Sequence, residues 1–213
     1  MIRLKNICFN YNSRQVLDNV HFRVDPGDRI GLVGPNGSGK TTLCRIIMGL
    51  LTPDAGEVEI FGQIRRKEND FAAIRGRIGF LFQDPDDQLF CPTVLEDVAF
   101  GPLNQGKSPD EAKRIVQATL ARLNLTGFEE RFTHKLSGGE KRLVSLATVL
   151  SMEPEMLILD EPTTGLDEQT IETLVHLLNG TNLTYIIVSH DKDFLERTTN
   201  KTFSIRGGGI AGS

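Results

Sequence analysis

The sequence has no long hydrophobic run, few cysteines and no excess of positive charge. Its longest uncharged apolar stretch, Leu143 to Met152, is about half of what a bilayer span requires. The start, Met1-Ile2-Arg3-Leu4-Lys5, lacks the apolar core and small-residue cleavage site of a secretory signal. The three cysteines, Cys8, Cys44 and Cys91, are odd in number and far apart, which argues against a disulfide framework or a metal site and for reduced thiols. Lys and Arg number 24 against 28 Asp and Glu, a net charge of −4 that removes the usual electrostatic basis for stable nucleic-acid binding. There is no internal repeat. The short run Gly207-Gly208-Gly209 reads as a turn or a fraying tail. What remains is an ordinary composition, 39% hydrophobic and 24% charged, expected of a soluble intracellular protein. The 213 residues predict one large domain, or one domain with an inserted lobe.

Strand and helix patterns alternate, which favours a layered α/β protein. Arg29 to Val33 is a short apolar run that ends in the glycine-rich Gly34 to Gly39, and Leu43, Ile46, Ile47 and Leu50 then follow at helical spacing. Met156 to Leu159 and Tyr185 to Val188 are compact apolar runs of the kind buried on both faces of a parallel sheet. The stripe Ile171, Leu174, Val175, Leu178 lies between them, giving a second βαβ unit. No strand-like run appears between about Asp84 and Glu153, and two helical stripes do, one through Ala112 to Leu123 and one from Leu143 to Leu150. That stretch is expected to be a mainly helical lobe inserted into the core. Leu4 to Phe9, Val16 to Val24 and Glu57 to Phe61 read as short antiparallel strands joined by turns.

Two motifs carry chemistry. Gly34-Pro35-Asn36-Gly37-Ser38-Gly39-Lys40-Thr41 fits a phosphate-binding loop in the required strand–loop–helix setting. Its glycines let successive N–H groups point inward at an anion, and the following helix presents its positive end. Lys40 would reach the β- and γ-phosphates of a nucleotide and Thr41 would ligate Mg²⁺, with Thr42 beside it. The second motif is Asp160-Glu161, at the carboxyl end of an apolar strand, where open α/β sheets bind ligands. Asp160 would hold Mg²⁺, and Glu161 could polarise a water for attack on the γ-phosphate. Acids also end many strands without any catalytic task, so this pair gains its meaning from the loop.

With Leu136-Ser137-Gly138-Gly139-Glu140 the chain resembles the ATP-binding-cassette (ABC) ATPases over nearly its whole length. The fifth position departs from the commonest form of that signature, which has Gln. The resemblance implies an α/β fold with a phosphate-loop NTPase core of mixed or parallel sheet and helices, an antiparallel β subdomain and an inserted α-helical lobe. In this scheme residues 1–83 and 154–213 make the core and 84–153 the lobe. It also implies that Ser137, Gly138 and Gly139 close over ATP held by a second subunit in a head-to-tail dimer. An anion site at a helix start, on a chain that already owns a phosphate loop, fits that role. By the same resemblance Tyr11 stacks on adenine, Gln83 touches Mg²⁺ or the attacking water, Asp167 crosses the dimer interface, and His190 contacts the γ-phosphate. His21, His134 and His176 match nothing.

The segment Asp84-Pro85-Asp86-Asp87-Gln88-Leu89-Phe90, with Thr93-Val94 and Glu96 to Pro102 after it, is similar to the ATPases of energy-coupling-factor importers, which take up cobalt, nickel or vitamins. There this surface receives a helix of the integral-membrane subunit. Leu89 and Phe90 flanked by acids are compatible with that, as an apolar anchor with a charged rim. The resemblance thus implies an ATP- and Mg²⁺-dependent motor peripheral to the cytoplasmic face of the membrane. It would work as a homodimer, or paired with a paralogous ATPase, with no nucleic-acid partner and a lean towards cobalt or nickel as cargo. Many such ATPases carry a further C-terminal dimerisation region, and the stop at Ser213 points to a compact variant. A soluble or regulatory ABC ATPase, associated with nucleic acid or ribosomes, or an exporter cassette, is the alternative.

Overall fold

The hairpin β1 (Ile2–Tyr11) and β2 (Arg14–Val24) shows how local sequence sets the first sheet. Ile2 and Leu4 are buried on one face of β1, but the next buried residue is Ile7, one position out of phase. The register shifts between Leu4 and Ile7, and Asn6 takes a left-handed φ of 53°. β2 does the same between Leu17 and Val20, where Asn19 has φ 49°. Asn tolerates that conformation better than other side-bearing residues, so each bulge re-aims the following apolar residues at the core. A computed structural model describes residues 1–212 of the chain, in two compact units.

The first unit comprises residues 1–75 and those from Leu183 onward. β1 also pairs antiparallel with β4 (Ala55–Ile60), and β4 with β5 (Gln63–Arg65), giving the order β2-β1-β4-β5. Beside this sheet stand β3 (Arg29–Val33), β8 (Thr184–Val188), β9 (Lys201–Arg206) and β10 (Gly209–Gly212), in the order β10-β9-β3-β8. β3 runs parallel to β8 and β9, and β9 turns back into β10 at Gly207-Gly208, so the glycine run is a hairpin turn. β8 is buried along its whole length, and the Tyr185 hydroxyl donates to the Thr198 carbonyl. The helices of this unit are α1 (Lys40–Ile47), α2 (Glu68–Arg75) and α7 (Lys192–Thr198).

The second unit spans residues 76–182. It takes in the parallel pair β6 (Ile78–Leu81) and β7 (Met156–Asp160), both fully buried. From Asp84 to Glu153 the elements are helical: α3 (Val94–Asn104), α4 (Pro109–Arg122) and α5 (Gly138–Leu150), with two short 3₁₀ turns, and α6 (Glu168–Asn179) follows β7. Three of these helices begin with the same device. Thr93, Ser108 and Ser137 each accept from the backbone N–H three residues on, and Glu96, Glu111 and Glu140 reach back to them. Each such reciprocal cap stabilises its helix by about 1 kcal/mol. Among the described residues no helix is long and apolar enough to cross a membrane.

Candidate functional site

In the first unit the strand β3 ends at Val33 and the phosphate loop follows. Gly34 has φ 149°, and a Cβ there would lie 2.3 Å from the Ile205 carbonyl oxygen. Gly39, at φ 108°, caps α1, and its Cβ would lie 2.9 Å from Leu17. The loop path therefore admits only glycine at both points. Lys40, the first residue of α1, is almost fully buried, and its Nζ donates to the Gly34 and Pro35 carbonyls at 2.8 and 3.1 Å. The ammonium thus lies across its own loop. The Ser38 hydroxyl is buried with no hydrogen-bond partner, and the first turn of α1, which includes Thr41 and Thr42, holds no acidic residue. An orphaned donor, a held cation and a helix start without negative charge fit a polyphosphate anion.

Tyr11 ends β1 with its ring edge-on to Phe9, centroids 4.9 Å apart, and is 44% exposed, leaving a ring face open for stacking. Its register partner across the hairpin is Arg14. Arg14, Val16, Asn36, Gly37, Ser38 and Arg206 line part of a hollow of about 390 Å³ beside the loop. The Arg14 guanidinium is 3.8 Å from where a Gly37 Cβ would stand. The sequence reading missed Arg14 and Arg206, whose only signal was proximity in the fold. His190 sits exposed just beyond β8, between the buried Ser189 and Asp191. The Ser189 hydroxyl accepts from the Asp191 N–H at 3.1 Å, and Asp191 caps α7, which fixes the backbone that carries the imidazole.

In the second unit Asp160 ends β7 and is 1% exposed. Glu161 follows with φ 51°, a left-handed conformation that a glutamate adopts at a cost of about 1 kcal/mol. Strain of this kind clusters where a side chain must be aimed. Ser137 caps α5, with its N–H donating to Glu140 at 2.8 Å. A Cβ at Gly138 would meet nothing within 4 Å, whereas one at Gly139 would lie 3.2 Å from the Gly165 carbonyl. The fold thus brings the signature turn and the Gly165-Leu166-Asp167 loop together. The Asp167 carboxylate accepts from the Thr170 N–H at 2.8 Å and caps α6, and bonding to the Thr170 side chain first and its N–H second holds the carboxyl below the usual range.

Gln83 is exposed just after β6, and its carbonyl accepts from Arg142. Arg142 was also missed by the sequence reading, although an arginine within the buried stripe of α5 is itself a signal. In the Asp84–Phe90 segment, Asp86 pairs with Lys141 at 2.6 Å and Gln88 bonds to α5, so these two side chains are spoken for. Phe90 is 66% exposed and packs edge-on against Phe100, itself half-exposed, with centroids 4.8 Å apart. Phe100 extends the apolar anchor expected of Leu89 and Phe90. Among the described residues no cluster of three or more His, Cys, Asp or Glu could hold a metal ion. Mg²⁺ is compatible with that, since it usually takes one or two protein groups together with phosphate oxygens and water. Thr41 and Asp160 are oxygen donors of that kind.

Over residues 17–164 the sequence matches the family described as ABC transporter. A protein of Nitratidesulfovibrio vulgaris, provisionally named an ABC transporter ATP-binding protein, is 51% identical over 98% of this chain and 77% of its own length. The energy-coupling factor transporter ATP-binding protein EcfA of Methanothermobacter thermautotrophicus is 40% identical over 98% of this chain and 68% of its own. Among solved structures, the dimeric post-hydrolysis state of the ATP-binding cassette MJ0796 bound to ADP and Pi aligns with a TM-score of 0.90 at 26% identity, over 100% of this chain and 98% of that one. A likeness of this extent decides the family: the chain belongs to the ABC transporters, as a cassette that binds and hydrolyses ATP with Mg²⁺.

Proposed function

We propose that this cassette is the motor of an importer of the energy-coupling-factor type, acting as a dimer on the cytoplasmic face of the membrane beside an integral-membrane subunit. The reading is carried by the Asp84–Phe90 segment, where Phe90, exposed and paired with Phe100, follows the exposed acids Asp84 and Asp87 in the chain. Such a surface suits an amphipathic helix with basic flanks. The 40% identity to a protein named EcfA supports the same assignment. Cobalt or nickel is the proposed cargo, on family resemblance alone, because the cassette carries no residue that would touch it.

In this mechanism the loop amides, Ser38 and Lys40 hold the β- and γ-phosphates, and Tyr11 stacks on adenine. Turning Lys40 donors from the Gly34 and Pro35 carbonyls to the phosphates would exchange neutral acceptors for charged ones. Thr41, Gln83 and Asp160 would hold Mg²⁺, which when bound would neutralise phosphate charge. Glu161 orients and polarises the attacking water, and His190 keeps a contact on the γ-phosphate. Ser137, Gly138, Gly139 and Asp167 act on the nucleotide of the other copy, so neither copy alone completes a reaction centre.

Glu161→Gln should keep ATP binding while lowering turnover by at least about a hundredfold, as loss of a water-polarising base does. Near-normal steady-state hydrolysis by that variant rejects the role. Purification from membranes tests the assembly. An integral-membrane subunit that copurifies, and is released by Phe90→Asp, supports the importer, whereas ribosomes or DNA in its place would overturn it.

A further inference from the structure

Within the second unit, the segment after β6 is tied to α5 by side chains from both. Lys141 Nζ reaches Asp86 at 2.6 Å. Gln88 Nε2 donates to the Ser145 carbonyl and the Thr148 hydroxyl, both at 2.8 Å, while its Oε1 accepts from the Phe82 N–H at 3.1 Å. At the centre lies Arg142, only 3% exposed. Its two terminal nitrogens donate to the main-chain carbonyls of Phe82, at 2.6 Å, and of Gln83, and its Nε has no hydrogen-bond partner.

This is an unusual place for a guanidinium. A buried arginine is normally matched by a carboxylate in direct contact, because removing the charge from water is expensive. Here, among the described residues, no carboxylate is bonded to it. Burial pulls its pKa down, and the charges of Asp160, Asp84 and Glu161 counter that from a distance. Packing alone would be served better by an apolar side chain, since the neighbouring buried positions of α5, Val144, Leu146 and Val149, are aliphatic. What the arginine alone can do is span two consecutive carbonyls with a rigid planar fork. Those two carbonyls fix the peptide planes on either side of Gln83 Cα, and therefore the direction in which the Gln83 side chain leaves the backbone.

We propose that Arg142 is a positioning residue for Gln83. It clamps the main chain under the glutamine, and, five residues from Ser137 on the same helix, it makes the signature turn and the Gln83 segment move together. The inference rests on the proposed role of Gln83 toward Mg²⁺ and the attacking water. It predicts that ATP is still bound when the clamp is lost, but that the bound state is turned over slowly.

The experiment compares Gln83→Ala, Arg142→Met and Arg142→Lys in the full chain. It reads kcat, the Mg²⁺ concentration at half-maximal rate, ATP affinity by calorimetry, and hydrogen exchange of the Phe82 to Gln88 amides without nucleotide. Arg142→Met should lower kcat about tenfold or more, raise the Mg²⁺ requirement and leave ATP affinity within about twofold, the pattern of a lost transition-state contact. Exchange at Phe82 to Gln88 should quicken in the same variant. Arg142→Lys, whose ammonium can reach a carbonyl, should recover most of the rate. If Arg142→Met does not fold, Arg142→Gln, which keeps one donor group, takes its place. A wild-type rate and Mg²⁺ requirement for Arg142→Met beside a defective Gln83→Ala overturns this inference alone. Parallel loss of ATP affinity and rate, with no recovery by lysine, marks a merely structural residue and overturns it as well. A Gln83→Ala of unchanged rate overturns the role of Gln83 and this inference with it.

Discussion

The phosphate loop and the Gln83 segment are both short stretches that follow a buried strand, yet they are held in place by opposite means. The loop is held mainly by contacts within itself, a lysine that folds onto its own carbonyls and a helix that starts at its end, while Gly34 and Gly39 let it pass close to Ile205 and Leu17. The Gln83 segment has one short 3₁₀ turn of its own, Pro85–Asp87, and is tied down by Lys141, Arg142, Ser145 and Thr148, about sixty residues further along the chain. A site that carries its own restraints keeps its geometry while the rest of the molecule moves. A site restrained from elsewhere moves with whatever restrains it, which is what a coupling element requires.

The sharpest way to break this contrast is a single methyl group. In Gly34→Ala the new Cβ would stand 2.3 Å from the Ile205 carbonyl oxygen and 2.9 Å from Ser38 Oγ, at a φ of 149° that an alanine avoids. The Ile205 carbonyl is backbone and cannot swing clear. ATP affinity should fall by at least about a hundredfold, on the scale of misplacing several charge-assisted hydrogen bonds. Calorimetric titration with Mg·ATP checks it. Retained affinity would mean that the loop is adaptable, and the contrast with the Gln83 segment would be lost.

A smaller effect is expected at the rim of the loop. Arg14 stands across the hairpin from Tyr11 and next to Gly37, so it should feel the phosphate chain rather than the base. Arg14→Ala should weaken ATP and inorganic tripolyphosphate alike, by about three- to tenfold at low salt, and the difference should shrink as salt is added. Weakening of ATP with no change for tripolyphosphate would place the guanidinium on the nucleoside instead.

The same contrast explains what could be read from the sequence. The phosphate loop, the strand ending in Asp160 and the Ser137 cap are defined by neighbours within a few residues, so their spacing showed them. The fold class followed from the β-branched runs and helical stripes, and the phase slips at Asn6 and Asn19 shifted faces without hiding the strands. Arg14 and the pairing of Phe90 with Phe100 depend on contacts between separated positions, which no local pattern encodes, and Arg142 stood out only as an arginine in an apolar stripe, its carbonyl partners about sixty residues away being invisible. Glu161 illustrates the middle case. Its identity could be read, but the left-handed backbone that aims it could not, because nothing local favours glutamate there.

The Ser137 cap offers the smallest test, and it asks whether a locally built site stays independent of its surroundings. Glu140 stands where the common signature has Gln. Its carboxylate accepts from the Ser137 N–H and pairs with Arg131 at 3.1 Å. Bonding to the Ser137 backbone first, then to its hydroxyl and to Arg131, holds the carboxyl below its ordinary value of 4.5. Because the folded-state pKa is the lower one, the stabilisation is fully present above the ordinary value and is lost as pH falls through the folded value. Glu140→Ala should therefore cost about 1 kcal/mol of stability at neutral pH, the usual worth of such a cap, and progressively less in acid. Urea denaturation of both proteins at neutral pH and near pH 4 measures the difference. A cost that stays constant with pH would mean that the cap acts by packing alone. A cost well above this range would mean that the charge also supports the Arg131 side of the turn, and the signature would then be no more self-contained than the Gln83 segment.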